Sequence, residues 1–441
     1  MQRVFAVIIA LLICAGSAVG QDSFAKKADR YLHPYVEMQD FSGCVLVASH
    51  KQIMIRRCYG NANYELNVPN QPNSKFHIAS LTKMFTGAAI VMLEKQRKLQ
   101  LTDKLSSYIP NFPNGDKITI LNLLEHSSGL PNYYAIPDYN EIKLKPIHYD
   151  ELIAIMREKA LDFEPGTRSN YSDTGYTFLA YIIEKVSGKH YGQFIADEIF
   201  APAGMRDSGT DLDTPLIPDR SSGYQPWIGP HKMRNAPYYD KAIITGSGSL
   251  YSTVDDLYLW YQTVRDKRLF DITALKYPYG WGQRQFHGKE FIEQSGRDPG
   301  YVSKFEAFLD EDLIVILLSN IEVGSDDVIA SGLWSLAFGD SPVPPARRAS
   351  FVLPHGTAAE YSGRYHVSPN LIMDVSVIDD ELFLRGTGGD YLPLDPIRPD
   401  AFFYKQLYAE ISFRRDGKGR VDAILWNGNF VCAKIADQPL P

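Results

Sequence analysis

The apolar positions of this chain change their spacing several times, and each change predicts an element. Phe24, Ala28, Tyr31 and Leu32 fall on one helical face, which predicts a short leading helix. Cys44 to Ala48 and Ile53 to Tyr59 are β-rich runs separated by a polar turn and closed by Gly60, the pattern of a hairpin. Leu81 to Gln96 is apolar and Ala-containing, so it reads as a buried helix with Ser80 at its N-terminus. Gly175 to Val186 is a further helical stretch, closed by Ser187 and Gly188. Tyr301 to Leu309 and Leu313 to Ser319 are again strand-like, and Val328 to Phe338 is helical. Strands at both ends of a largely helical middle imply one sheet assembled from distant segments. Beyond residue 348 the pattern becomes short alternating strands, such as Met373, Val375, Val377 and Val421, Ala423, Leu425, with turn signals at Asp379-Asp380 and Asp416-Gly417. These predict a small antiparallel sheet or barrel.

Composition narrows this picture. With 45% hydrophobic and 22% charged residues in 441, the chain is globular and neither disordered nor collagen-like. Lys+Arg total 45 against Asp+Glu 52, a formal charge of -7, and no basic block suggests a nucleic-acid partner. The apolar run Val4 to Cys14, followed by small residues through Ala18, Val19 and Gly20, reads as a cleaved signal peptide, too short for a stable membrane span. The expected organisation is 1–20 signal peptide, 21–340 main domain, 341–348 Pro-rich linker and 349–441 C-terminal β domain. A secreted or periplasmic location follows from the leader.

The cysteines are too few for a disulfide scaffold, and no Cys/His cluster has metal spacing, so neither metal nor cofactor is expected. If His50 and Lys51 form the hairpin turn, Cys44 faces Arg57, and Cys44 and Cys58 point to opposite faces. The expectation is two half-buried free thiols, with a bridge as the alternative.

The sharpest candidate chemistry is Ser80-Leu81-Thr82-Lys83. Residues three apart on a helix share a face, so the Lys83 ammonium can reach the Ser80 hydroxyl. A serine at a helix start also gains a backbone N–H and the positive dipole end for an oxyanion. Alone, the same four residues also describe a helix cap followed by a solvated lysine.

The wider segment decides between these readings. Phe76 through Phe85, with His77-Ile78-Ala79-Ser80-Leu81-Thr82-Lys83 at its centre, resembles the nucleophile segment of the class C β-lactamase and penicillin-binding-protein-like serine hydrolases. Ile118 through Pro131, Phe163-Glu164-Pro165-Gly166 through Tyr171-Ser172-Asp173, Gly248 through Leu257, and Tyr279-Gly280-Trp281-Gly282 resemble its later blocks in the right order. The resemblance implies a β-lactamase/transpeptidase-like α/β (α+β) fold, with an antiparallel sheet flanked by helices. It also implies an acyl-enzyme on Ser80, with Lys83 and Tyr171 as proton partners and the backbone N–H groups of Ser80 and Arg297 as oxyanion donors. The C-terminal segment, with Tyr361-Ser362-Gly363-Arg364-Tyr365, resembles the lipocalin-like domains appended to some of these hydrolases.

Two departures shape the expected specificity. Asp173 stands where most members have Asn, and its carboxylate could attract a cationic amine on the substrate. Gln294-Ser295-Gly296 takes the place of a cationic tripeptide on the strand that walls the cleft, so a substrate carboxylate should bind poorly. The implied function is a serine hydrolase of esters, small peptides or amides with weak β-lactam hydrolysis, its partner a small-molecule or peptide substrate. The rival is a catalytically impaired binding protein of the same fold. His77 could line the cleft or pack beneath it, His126 is expected to be structural, and Tyr133, Tyr134, Tyr139 and Trp227 could shape a substrate surface or pack the loops.

Overall fold

A computed structural model of the protein describes residues 24–435 apart from 137–138, 213–214, 229–232, 273–278, 349–350, 369–370, 388, 427 and 429. The apolar leader over residues 1–20 lies outside the described residues. The central sheet has six strands in the order Gly282–Phe286, Lys289–Asp298, Tyr301–Phe308, Leu313–Ser319, Gly43–Ser49 and Gln52–Tyr59, every neighbouring pair antiparallel. Two segments nearly three hundred residues apart in the chain thus meet at its centre, with Gly43 opposite Ser319 and Ser49 opposite Leu313.

Both faces of the sheet are covered, which is why the strands Leu313–Ser319 and Gly43–Ser49 carry almost no polar positions. Val45, Val47, Val315 and Leu317 pack with Tyr31, Leu32, Leu333 and Trp334 of the helices over residues 24–37 and Asp326–Ala337. The alternate residues Leu46, Ala48, Ile314, Ile316 and Leu318 face the larger core, built on the helices Thr82–Lys95, Asp173–Ser187 and Val254–Arg265. The helix Thr82–Lys95 is buried almost all round, from Thr82 to Leu93, and its small residues permit close neighbours. A Cβ on Gly87 would stand 2.4 Å from the Tyr279 carbonyl oxygen. Gly188 ends the helix Asp173–Ser187 in the left-handed conformation, φ 73°, as its position predicted.

The hairpin corrects one expectation. His50 and Lys51 do form its turn, both at positive φ. However, Val47 pairs with Ile55 while Ala48 pairs with Ile53. Met54 is therefore an extra residue in a β-bulge, and from there the register moves by one. Cys44 comes to lie opposite Cys58, and the two form a disulfide instead of two free thiols. Cys432 remains free and buried.

Residues 341–348 take no regular secondary structure. The eight strands from Gly363–Ser368 to Phe430–Lys434 then close into an antiparallel barrel. Its interior is packed by side chains, among them Tyr365, Phe402, Phe413 and Ile424. The barrel is tied to the main body by buried polar contacts. Asp40 receives Arg348 at 2.6 Å and Lys405 at 3.0 Å, and the Gln406 amide donates to Glu322 at 2.9 Å. Trp227 packs on Phe383 of the barrel, with ring centroids 4.9 Å apart, so it seals this junction instead of shaping a substrate surface.

Candidate active site

Ser80 lies in the 3-10 turn Ala79–Leu81, which runs directly into the helix Thr82–Lys95. Ala79 before it has φ 46°, a left-handed conformation that costs energy in a residue with a Cβ and recurs at sites held tightly by their surroundings. The surroundings are visible: Ser303 donates to the Ile78 carbonyl at 2.7 Å and the Gln294 amide donates to the Ser80 carbonyl at 3.2 Å.

Lys83, one helical turn on, is fully buried. Its ammonium donates to Ser80 Oγ at 3.1 Å, to Asp173 Oδ1 at 2.6 Å and to the Ser247 carbonyl at 2.7 Å. Three protons meet three acceptors, so the group is satisfied as a cation. Burial alone would push its pKa down, but the charge of Asp173 and the neighbouring Tyr171 outweigh it, and the net shift is upward. Lys83 is therefore held protonated near neutral pH, a positive charge fixed beside Ser80.

Tyr171 completes the group. Its hydroxyl lies 2.7 Å from Ser80 Oγ, and the Lys83 ammonium lies 4.8 Å from its ring centroid. The ring has an outer face toward the cleft and is 47% exposed, yet its oxygen sits among Ser80, Lys83 and Asp173. Desolvation at that oxygen raises the phenol pKa, and Lys83 opposes the rise. The tyrosine is thus a neutral phenol at rest whose ionised form the adjacent cation favours. His126 stacks on the Tyr171 ring at 4.6 Å and accepts the Ser172 N–H at 3.1 Å. Burial first, and the Lys83 charge next, push its pKa down to about 4, so it is a neutral support.

Asp173 lines the cleft but is already engaged within the chain. One oxygen is held by Lys83 and the other accepts from the Asn132 amide at 3.1 Å. Its carboxylate sets the charge on Lys83. Asn132 and Ser247 were missed in the sequence; the only local signal was the small-residue run Gly246-Ser247-Gly248, which lets the chain pass close to the lysine.

The wall strand Lys289–Asp298 brings up the remaining candidates. Gly296 approaches so closely that a Cβ there would stand 2.4 Å from the Ile78 carbonyl oxygen and 3.0 Å from the Ser80 nitrogen. Ser295 accepts from Lys304 at 2.7 Å. Lys304 lies opposite it on the next strand but is claimed by Glu293 at 2.6 Å and Asp327 at 2.7 Å. This buried cation therefore does not replace the charge that Gln294 lacks. The Arg297 side chain turns away from the nucleophile, to Asp326 at 2.8 Å and to the Gln406 carbonyl of the barrel. His77 lies beneath the site, wedged between Asp211 at 3.0 Å and Asp298 at 2.7 Å. Burial opposes its charge, but the two carboxylates win and raise its pKa. It packs beneath the cleft and does not line it.

Ser80, Tyr171, Asp173, Gln294, Ser295 and Arg297 line one cavity of about 630 Å3. Tyr134, Tyr139 and Tyr239 form an aromatic side of it, whereas Tyr133 is buried behind them. Thr387, Gly389, Asp390 and Gln406 of the barrel also reach its lining, which no sequence pattern had indicated. No group of residues with the makeup of a metal site occurs among the described residues.

The family model described as Beta-lactamase matches residues 28–337. A penicillin-binding protein of Bacillus subtilis (strain 168) is 29% identical over 415 residues, covering 86% of this chain and 91% of that protein. A teichoic acid D-alanine hydrolase of Staphylococcus aureus is 25% identical over 327 residues, covering 70% of this chain and 76% of its own length. Among solved structures, a penicillin binding protein from Bacillus halodurans superposes with a TM-score of 0.61 at 25% identity, over 69% of this chain and 99% of that one.

Proposed function

Since the chain belongs to the β-lactamase family and is a serine hydrolase of that family, we propose that it hydrolyses aminoacyl esters and amides through an acyl-enzyme on Ser80. The observation that carries this reading is the placement of Ser80 Oγ, 2.7 Å from the Tyr171 hydroxyl and 3.1 Å from the Lys83 ammonium, at the wall of an open cavity. In the proposed step the ionised form of Tyr171, which the Lys83 charge favours, takes the Ser80 proton as Ser80 Oγ bonds to the substrate carbonyl carbon. The phenol so formed then gives that proton to the leaving oxygen or nitrogen as its bond to the carbonyl carbon breaks, which returns Tyr171 to the ionised form. A positively charged Lys83 stabilises whatever negative charge the phenol carries in transit. The oxyanion meets the backbone N–H groups of Ser80 and Arg297, and water then enters by the reverse route to release the acid and restore Ser80.

The similarity to a teichoic acid D-alanine hydrolase supports a substrate carrying a D-aminoacyl group. The apolar leader supports action outside the cytoplasm, and among the described residues no helix is long and apolar enough to cross a membrane. We take residues 21–340 as the hydrolase unit and 349–441 as the appended barrel.

Gln294 offers a hydrogen bond where a cation would hold a substrate carboxylate, and a charge-assisted bond is about twice as strong as a neutral one. D-Alanyl esters, which carry no carboxylate, should therefore be hydrolysed faster than a chromogenic cephalosporin bearing a free carboxylate. Gln294→Lys should raise kcat/KM for the cephalosporin by about tenfold and leave a neutral ester nearly unchanged. A wild-type protein that prefers the cephalosporin, or a Gln294→Lys variant that changes both substrates equally, contradicts the specificity assigned to this wall.

A further inference from the structure

The cavity that holds Ser80 is lined by several carboxylates, and their partners differ. Asp173 is neutralised by Lys83. Glu293 receives Lys304 at 2.6 Å and Arg284 at 2.7 Å. Asp298 lies against His77 and accepts the Tyr239 hydroxyl. Glu322 is buried and accepts from Gln225 at 2.8 Å, from Gln406 at 2.9 Å and from the Gly300 N–H at 3.1 Å. Asp390 alone has a single neutral donor, the Gln225 amide at 3.1 Å, and among the described residues no ion pair joins it to a cation. Arg234, whose charge Asp390 favours from farther off, spends its own hydrogen bonds on the Gln225 carbonyl oxygen at 2.9 and 3.1 Å.

Asp390 belongs to the barrel, between the strands Glu381–Gly386 and Leu392–Arg398, and with Thr387 and Gly389 it lines the same cavity as the nucleophile. Tyr134, Tyr139 and Tyr239 line the cavity together with Asp390 and Ser80, and Asp298, Asp173 and Asp390 all act on the Tyr139 phenol. A carboxylate with spare acceptor capacity, in a cavity that tyrosines also line, favours an ammonium group by charge and by cation–π attraction.

We propose that Asp390 is a specificity-determining residue through which the C-terminal barrel receives a cationic ammonium group of the substrate while its carbonyl sits at Ser80. This rests on the acyl-enzyme reading of the site and adds to it the part played by the barrel. It also moves amine recognition from Asp173, whose two oxygens are engaged within the chain, to a residue more than two hundred positions later.

The test uses the full chain and a series of 4-nitrophenyl esters of glycine, β-alanine, 4-aminobutyrate and 6-aminohexanoate, each with a free amine and with the amine acetylated. In the wild type, kcat/KM should favour the free amine by about tenfold at one chain length, chiefly through KM, and the preference should shrink with added salt. In Asp390→Asn the preference should fall close to one. Hydrolysis of the acetylated esters should persist, because Asn can still accept the Gln225 hydrogen bond. No preference at any length, or a preference that survives Asp390→Asn, overturns the assignment. Failure of the acyl-enzyme reading would look different, as absent hydrolysis of every ester, acetylated ones included. In that event binding of the corresponding ω-amino amides, followed by saturation-transfer NMR on the wild type and on Asp390→Asn, still decides the matter. Equal signals in the two proteins overturn it, and loss in the variant supports it.

Discussion

Replacing Lys83 by Met, or Tyr171 by Phe, should each lower kcat for an activated ester by about a thousandfold, within the range typical of positioned acid–base groups. The double variant should be little worse than the worse single one. The reason is the shared proton path: Tyr171 can carry the Ser80 proton only while the Lys83 charge favours its ionised form, so removing either group removes what the other does. Stability should separate the two variants. Lys83→Met leaves Asp173, 5% exposed, as a buried carboxylate with only the Asn132 amide, and breaking a buried pair in this way costs about 3–5 kcal/mol. Adding Asp173→Asn to Lys83→Met removes the stranded charge and should restore much of the lost melting temperature without restoring activity. Recovery of activity in that double variant, or losses that simply multiply between Lys83→Met and Tyr171→Phe, would contradict a coupled pair.

Gly296→Ala should reduce kcat/KM by about a hundredfold while leaving the protein folded. The new methyl group would meet the Ile78 carbonyl oxygen at 2.4 Å and the Ser80 nitrogen at 3.0 Å, and both are backbone atoms that cannot rotate away. The wall strand must then retreat from the nucleophile. A displacement of about 1 Å in a catalytic group is enough for a hundredfold loss, and the overpacking itself costs about 1–3 kcal/mol. The measurement is kcat/KM together with the melting temperature; wild-type kinetics in a folded Gly296→Ala protein would show that the contact between strand and nucleophile has no part in the reaction.

What could be read from the sequence was what short spacing dictates. Ser80 and Lys83 share a helical face because they are three residues apart, and Asp173 follows Tyr171 closely enough that both reach the lysine from one helix start. The strands at each end of the main body were legible from their apolar runs, and their flanking of a helical middle implied one sheet built from distant segments, which the pairing of Gly43–Ser49 with Leu313–Ser319 matches. The Cys44–Cys58 bridge was not legible, because one extra residue at Met54 reverses which side chains share a face, and no local pattern marks a bulge there. Asn132 and Ser247 are common residue types whose meaning comes only from the buried charges they touch. Asp390 and Gln406 reach the cleft by docking of a whole barrel, a juxtaposition set by buried contacts such as Asp40 with Arg348 and Lys405. The choice for Trp227 between a substrate surface and loop packing was open for the same reason, since only the docked barrel reveals its partner Phe383.

The central claim is that Ser80 is a nucleophile activated by Lys83 and Tyr171, and the most direct measurement is intact mass spectrometry of the protein after exposure to a fluorophosphonate probe, followed by peptide mapping. The account predicts one adduct per chain, located on Ser80, formed rapidly in the wild type, slowly in Lys83→Met and Tyr171→Phe, and absent in Ser80→Ala. An adduct on any other residue, or equal labelling of Ser80→Ala, would contradict it.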